Sequence, residues 1–150
     1  MYAGVSHRHP IYCILPPYVL RSIAQNGTAQ QRAAALGTLA TDQTFRAVRA
    51  MQPRAPGTPH RRPSLLAVEA QKRRTIFDAH NSQTLPGDMV RVEGGPPSAD
   101  SAVNEAYDGL GATFDFYSEI YDRNSIDDEG LPLNATIHFG QGYDNAFWDG

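Results

Sequence analysis

The chain has 150 residues, of which 41% are hydrophobic, so it is long enough for about one ordinary domain with a core. Its single cysteine, Cys13, excludes an intramolecular disulfide framework. No apolar run reaches the roughly 18 residues of a membrane-spanning helix, and the short run 11–15 is interrupted by Pro16-Pro17. We therefore predict no membrane partner and no secretory signal peptide. The expected location is the cytoplasm or, by a non-classical secretory route, the exterior.

The net charge of −3 conceals an uneven distribution along the chain. Residues 1–75 contain eleven Lys and Arg against two Asp and Glu, a net charge of +9. Residues 76–150 contain two Arg against fourteen Asp and Glu, a net charge of −12. Opposite charges predict that the two halves dock on each other. A basic half would also suit a nucleic-acid partner, but its arginines are scattered, so we predict no nucleic-acid binding.

Residues 17–51 are predicted to form a small helical unit. Proline is favoured at the first helical position, so Pro17 indicates the start of a helix over residues 18–24. Asn26-Gly27 supplies a stop signal directly after it. A unit of this size buries little core by itself.

Two further helices are predicted in the same unit. Thr28 with Gln31 has the spacing of a capping box, which indicates the start of the second helix. Thr41 or Asp42 is expected to cap a third helix, because apolar residues after them recur at helical spacing. The helical unit is thus expected to contain two or three helices.

Residues 52–74 differ in composition, since they combine four prolines with clustered basic residues. Such a composition is typical of a flexible linker, and linkers of this kind are readily cut by proteases. The residues alone leave two interpretations open, a maturation site or an ordinary interdomain linker.

From Thr75 onward the pattern changes to strands and one long helix. Residues 76–79, 89–93 and 133–139 are predicted strands. Residues 99–123 form the strongest predicted helix, because they carry an unbroken apolar stripe. The stripe consists of Val103, Tyr107, Leu110, Phe114, Tyr117 and Tyr121. The fold class predicted from these elements is α+β.

Histidine and cysteine offer few candidate metal ligands. His7, His9 and Cys13 form the only nearby cluster of these residue types, in a segment with little around it to preorganise a site. We therefore predict no metal ligand there, and we expect structural roles for His80 and His138.

Other site chemistry is sparse in the sequence. The consecutive carboxylates Asp127-Asp128-Glu129 suit calcium, which prefers clustered oxygens, but such residues in a turn are also commonly only solvated. The chain has no G-x-S-x-G, P-loop or C-x-x-C pattern. We assign no catalytic residue within it.

Four segments together resemble the N-terminal lobe of the thermolysin-like neutral zinc metallopeptidases. They occur in the right order for that family and are residues 75–79, 103–117, 137–139 and the Asn-Ala-Phe-Trp stretch 145–148. In this family the zinc helix, with the motif H-E-x-x-H, follows a short distance downstream. The resemblance implies a small helical pro-segment and a flexible linker, followed by part of a β-rich lobe with one long amphipathic helix.

The front of the chain resembles the short pro-segment motif of protealysin-like members of that family. The motif is an apolar residue, two prolines, a variable residue and apolar residues, which fall here on Pro16, Pro17 and Leu20. The resemblance implies a pro-segment over residues 1–51. It also implies a linker with a maturation site over 52–74, and an incomplete peptidase domain over 75–150.

The resemblance also implies roles for the last residues. In the family, the Asn-Ala-Phe-Trp segment lies along the cleft and pairs with the substrate backbone, so the implied substrate-binding residues are Asn145, Ala146 and the backbone near Trp148. Phe147 and Trp148 are expected to anchor the segment in the core.

The pro-segment is expected to dock on the peptidase domain as an inhibitor and folding aid. We hypothesise that residues 11–15 lie in the cleft and block peptide or protein substrates. Cys13 is then either a core thiol or a thiolate near the zinc.

The chain departs from the family in one large respect, since the zinc ligands and the catalytic Glu do not occur in residues 1–150. The expected function is that of the N-terminal portion of a metalloendopeptidase precursor, inactive alone, whose zinc belongs to the full-length enzyme. The alternative is a stand-alone non-catalytic binding or inhibitor protein built from the same pieces. With residues 75–150 incomplete, exposed sheet edges and an exposed apolar stripe on the long helix predict marginal stability or association.

Overall fold

The computed structural model describes residues 15–51 and 70–148. The side chains of 48–50, and residues 1–14, 52–69 and 149–150, lie outside that description. The described residues fall into two compact units, one comprising 15–51 with 142–148 and the other comprising 70–141. Among the described helices, none is long and apolar enough to cross a membrane.

Helix α1 opens the first unit and spans Pro17–Asn26. It begins where the sequence predicts, because Pro16 is extended with φ of −65° and Pro17 occupies the first turn. It ends at Gly27, whose N–H donates to the carbonyl of Ile23 at 2.8 Å. Leu20, only 1% exposed, is the buried residue of α1, and α1 packs against α2.

Helix α2 spans Ala29–Met51 as one continuous element. The predicted capping box is present: Thr28 N–H donates to Gln31 Oε1 at 2.9 Å, and Gln31 N–H donates to Thr28 Oγ1 at 3.3 Å. The expected third helix is wrong, because Thr41 and Asp42 lie inside α2. The carboxylate of Asp42 does not cap a helix but bonds to side chains of the segment 142–148, a partner distant in sequence.

The second unit is built on a three-stranded mixed sheet. Its strands are β1 (Arg74–Asp78), β2 (Asp88–Val92) and β3 (Leu133–Ile137), in the order β2-β1-β3. Strand β1 pairs antiparallel with β2 and parallel with β3. A parallel pair requires a long crossover, and helix α3 (Ser101–Tyr121) lies within it.

Helix α3 covers the central strand of the sheet. The buried core joins Ile76 of β1, which is fully buried, to Val103 and Tyr107 of α3. The apolar stripe predicted from the sequence supplies these core residues of α3, and the α+β class is confirmed. The helix starts two residues later than predicted, because the side chain of Asp100 accepts the N–H of Ala102 at 2.9 Å and acts as the N-cap.

Arg74 joins the sheet to α3 through a charged and aromatic cluster. Its guanidinium donates to Glu93, with distances of 2.7 Å (Nε–Oε2) and 2.5 Å (Nη2–Oε1), and to Tyr107 Oη at 2.9 Å. The guanidinium carbons of Arg74 and Arg91 each lie 3.7 Å from the centroid of the Tyr107 ring, within cation–π range. Hydrogen bonding from Arg74 lowers the pKa of Glu93 to about 2. Arg74, which we predicted to be the last residue of the linker, is the first residue of β1.

Candidate functional site

The amide of Asn145 is the polar centre of the segment 142–148. Its Oδ1 accepts the N–H of Leu15 at 2.8 Å and the N–H of Ala146 at 2.8 Å. Its Nδ2 donates to the carbonyl of Leu15 at 3.3 Å and to Asp42 Oδ2 at 3.0 Å. The two lone pairs and two N–H groups of the amide are therefore all used. Both backbone groups of Leu15 pair with this one side chain.

Asp42 holds the segment from the side of α2. Its carboxylate is 2% exposed and accepts the hydroxyl of Tyr143 at 2.7 Å, in addition to the amide of Asn145. No described Lys or Arg forms an ion pair with Asp42. A buried carboxylate is costly unless it is hydrogen-bonded, so these two donors keep it in place.

Two further contacts fix the segment on the same face of α2. Thr38, fully buried one turn before Asp42, accepts the N–H of Asp144 at 3.0 Å. The rings of Phe45 and Phe147 lie 4.2 Å apart between centroids. Trp148, which we expected to be an anchor, is 50% exposed. Anchoring therefore falls on Phe147, because Phe45 of α2 offers it an aromatic partner.

The motif residues Pro16, Pro17 and Leu20 have structural roles in the first unit. The carbonyl of Pro16 accepts the N–H of Val19 at 3.0 Å at the start of α1, and Leu20 is the buried side chain of that helix. Leu15 immediately precedes them, so the start of α1 sets the position from which Leu15 contacts Asn145. Residues 11–14, the rest of the segment expected in the cleft, lie outside the described residues.

Two further groups of candidate metal ligands were identified in the sequence, one near the N-terminus and one in the acidic turn 127–129. His7, His9 and Cys13 lie outside the described residues. In the acidic turn, Asp127 Oδ1 accepts the N–H groups of Glu129 at 2.9 Å and Leu131 at 3.0 Å. The turn itself thus gives its carboxylates a role, and calcium binding there stays a prediction.

His80 and His138 are not isolated, although each stands alone in the sequence. His138 Nδ1 lies 3.2 Å from Asp78 Oδ1, and His80 Nδ1 lies 3.3 Å from Asp78 Oδ2. This cluster was not predicted from the sequence, because its members are far apart along the chain. The available signal was that His80 follows one predicted strand and His138 lies near the end of another, since strand ends can meet at one edge of a sheet. The predicted strand 133–139 is two residues too long, because β3 ends at Ile137.

Comparison with protein families identifies the class to which this fold and segment belong. A family profile described as "Thermolysin metallopeptidase, catalytic domain" matches residues 60–150, more than half of the chain. The chain belongs to the thermolysin metallopeptidase family, and the resemblance drawn from its motifs is confirmed.

Similar proteins extend the match into the helical unit. The chain is 45% identical over 141 residues to an "Extracellular metalloprotease" of Pectobacterium carotovorum subsp. carotovorum, a match that covers 94% of this chain and 38% of that protein. It is 38% identical over 137 residues to "Protease PrtS" of Photorhabdus sp. (strain Az29), with coverage of 90% and 36%. The chain therefore spans little more than a third of the length of these relatives.

The fold is similar to that of the precursor of protealysin, a metalloproteinase from Serratia proteamaculans. The TM-score is 0.70 at 39% sequence identity, and the match covers 91% of this chain and 36% of that chain. The α+β arrangement of the present chain is thus that of the N-terminal region of a protealysin-like precursor.

Proposed function

We propose that the chain is the N-terminal portion of a zinc metalloendopeptidase precursor, in which residues 1–51 inhibit the peptidase and residues 145–148 line its substrate cleft. The family match and the precursor neighbour support the class. The observation that carries the inhibitory role is the pairing of both backbone groups of Leu15 with the amide of Asn145.

The pairing at Leu15 has the form of a substrate contact. A peptidase that tolerates many sequences must bind the substrate by its main chain, because backbone groups are common to every peptide. One N–H and one carbonyl of a substrate residue would need the same amide atoms that Leu15 engages. Since Leu15 belongs to the same chain, its high effective concentration favours it over a diffusing substrate.

The burial of Asp42 reinforces this blocked state. The carboxylate fixes Asn145 Nδ2 and the neighbouring Tyr143 from the side of the pro-segment, so α2 orients the amide toward Leu15. In this proposal, removal of the pro-segment frees the amide of Asn145 for substrate, while Ala146 and the backbone near Trp148 extend the binding edge.

The zinc of the full-length enzyme would be held outside these residues, because H-E-x-x-H does not occur within residues 1–150. When bound, the zinc supplies an activated water for attack on the peptide carbonyl. This chain contributes main-chain recognition of the substrate and its blockage, and we derive no catalytic step from its residues.

The first test is to read the coding DNA beyond the codon for Gly150. An H-E-x-x-H within about 30 codons, as the family motif implies, supports the precursor. An immediate stop codon contradicts it and supports the alternative, a non-catalytic binding or inhibitor protein.

The inhibitory role is tested in the full-length precursor by replacing Pro16, Pro17 and Leu20 together with alanine. These changes loosen the start of α1 and its buried anchor, so we expect premature peptidase activity or a lower folding yield. Arg21→Ala, an exposed position of the same helix, is the control. Unchanged maturation of the triple variant would refute the inhibitory role of the segment.

A further inference from the structure

Three side chains of the second unit converge where two strands end and a helix begins. Asp78 is the last residue of β1, His138 follows the last residue of β3, and Asp100 is the N-cap of α3. His138 Nδ1 lies 3.2 Å from Asp78 Oδ1, and His138 Nε2 lies 3.5 Å from Asp100 Oδ2. We refer to these three residues as the edge cluster.

The topology of the sheet brings the edge cluster together. Strands β1 and β3 are parallel neighbours in which Asp78 is opposite Ile137, so their carboxyl ends lie at the same edge. In sheets with parallel strands, this edge is where ligands commonly bind. The backbone at His138 turns sharply there, with a left-handed φ of 48°, a conformation that costs free energy for a residue other than glycine.

The charges of the edge cluster are not balanced by a permanent cation. Among the described residues, the ion pairs of Asp78 and Asp100 involve only histidines, which carry charge only when protonated. The side chain of Asp78 is only 13% exposed. Hydrogen bonds from the backbone N–H of His80 and from the imidazole of His138 lower the pKa of Asp78.

The spacing of the donor atoms suits one metal ion. One ligand atom from each residue of the edge cluster lies within 4.8 Å of the other two. Around a tetrahedral zinc ion with bonds of about 2.1 Å, neighbouring ligand atoms are about 3.4 Å apart. The 3.2 Å contact between His138 Nδ1 and Asp78 Oδ1 already has this size. Asp100 lies on the opposite ring nitrogen, Nε2, so its 38%-exposed side chain has to rotate to bring a carboxylate oxygen to an ion bound at Nδ1.

We propose that Asp78, Asp100 and His138 bind a first-row divalent transition metal, with Zn²⁺ as the reference ion. One imidazole nitrogen with two carboxylates favours zinc, cobalt or manganese over calcium and magnesium, which prefer oxygen ligands alone. His80 contacts the second oxygen of Asp78 and also Asp88 at 3.2 Å, so it orients Asp78 as an outer partner of the metal. The site uses neither Asn145 nor any H-E-x-x-H residue, and it stands apart from the proposed inhibition.

The test is a titration of the 150-residue chain with ZnCl₂ at pH 7.5, after removal of metals by EDTA and dialysis. We expect one saturable zinc site by isothermal titration calorimetry. His138→Ala and Asp100→Asn should each weaken the affinity by at least about tenfold, the loss that even outer-partner changes produce. Asn is as good an N-cap as Asp, so Asp100→Asn keeps the start of α3 while it removes a charged ligand.

Two controls make the result decisive. A triple variant, His7→Ala with His9→Ala and Cys13→Ser, should retain the site, and a CaCl₂ titration should give no competing saturation. The proposal is overturned if zinc does not bind saturably, or if the triple variant alone abolishes binding. It is also overturned if His138→Ala and Asp100→Asn, with circular dichroism like that of the unaltered chain, bind zinc equally well.

Discussion

Replacing Asp42 with alanine removes the buried carboxylate that joins α2 to the segment 142–148. The hydroxyl of Tyr143 and the amide of Asn145 would each lose an acceptor in a site from which water is largely excluded. Hydrogen bonds to a charged group contribute about 1.5–3 kcal/mol each. Relief of the cost of burying the carboxylate offsets part of the loss, so we expect the contact to weaken by about 2–3 kcal/mol.

Amide hydrogen exchange measures this change at two reporter groups. The N–H of Leu15 donates to Asn145 and the N–H of Asp144 donates to Thr38. Since about 1.4 kcal/mol corresponds to a tenfold change in an equilibrium constant, both amides should exchange roughly 30- to 150-fold faster in Asp42→Ala.

Two companion variants sharpen the exchange experiment. Asp42→Asn should have an intermediate effect, because its oxygen can still accept from Tyr143 while its NH₂ group opposes that of Asn145. Gln43→Ala, at the exposed neighbouring position, should leave both amides unchanged. If protection in Asp42→Ala stays within threefold of the original while helicity is intact, the carboxylate does not hold the segment and the reasoning is refuted.

Two other predictions concern the second unit. The pKa of Glu93 is about 2, below its ordinary 4.5, so its contribution to stability is present above about pH 4.5 and is lost as the pH falls toward 2. Glu93→Gln should therefore flatten the pH dependence of the free energy of unfolding, measured with urea between pH 2 and 7. An unchanged pH dependence would contradict the role of the Arg74 contact. The exposed end of α3 carries Phe116, Ile120 and Tyr121. Ile120→Lys should therefore reduce concentration-dependent association in sedimentation velocity, whereas the control Glu119→Lys should not. A monomeric unaltered chain with a sharp, concentration-independent melt would argue against this prediction.

Local signals in the sequence predicted the local elements well. Pro17 and the Thr28–Gln31 capping box marked the starts of α1 and α2, because both signals act within a few residues: proline has a preset φ and no N–H to satisfy, and the capping box uses local hydrogen bonds. The stripe of α3 correctly predicted the buried residues Val103, Tyr107 and Phe114, whereas its last member, Tyr121, is 58% exposed. The Asn-Ala-Phe-Trp stretch pointed to the family before any contact was known.

Contacts between distant parts of the chain could not be predicted in the same way. Asp42 has the properties of a helix cap, and only the presence of Tyr143 and Asn145 explains why it lies inside α2. The edge cluster was also hidden, because Asp78 and His138 are 60 residues apart and meet only through the parallel pairing of β1 and β3.

The separation between Asp42 and Tyr143 has a consequence for the order in which the chain folds. The two residues are 101 positions apart, so α1 and α2 leave the ribosome well before their partner segment is made. Helices held by local contacts form fast, and N-terminal units generally fold first during synthesis. The face that carries Thr38, Asp42 and Phe45 is therefore synthesised, with its local helical contacts, before residues 143–147 emerge. We expect those residues to acquire their conformation on this face, which would give a physical basis to the proposed folding assistance.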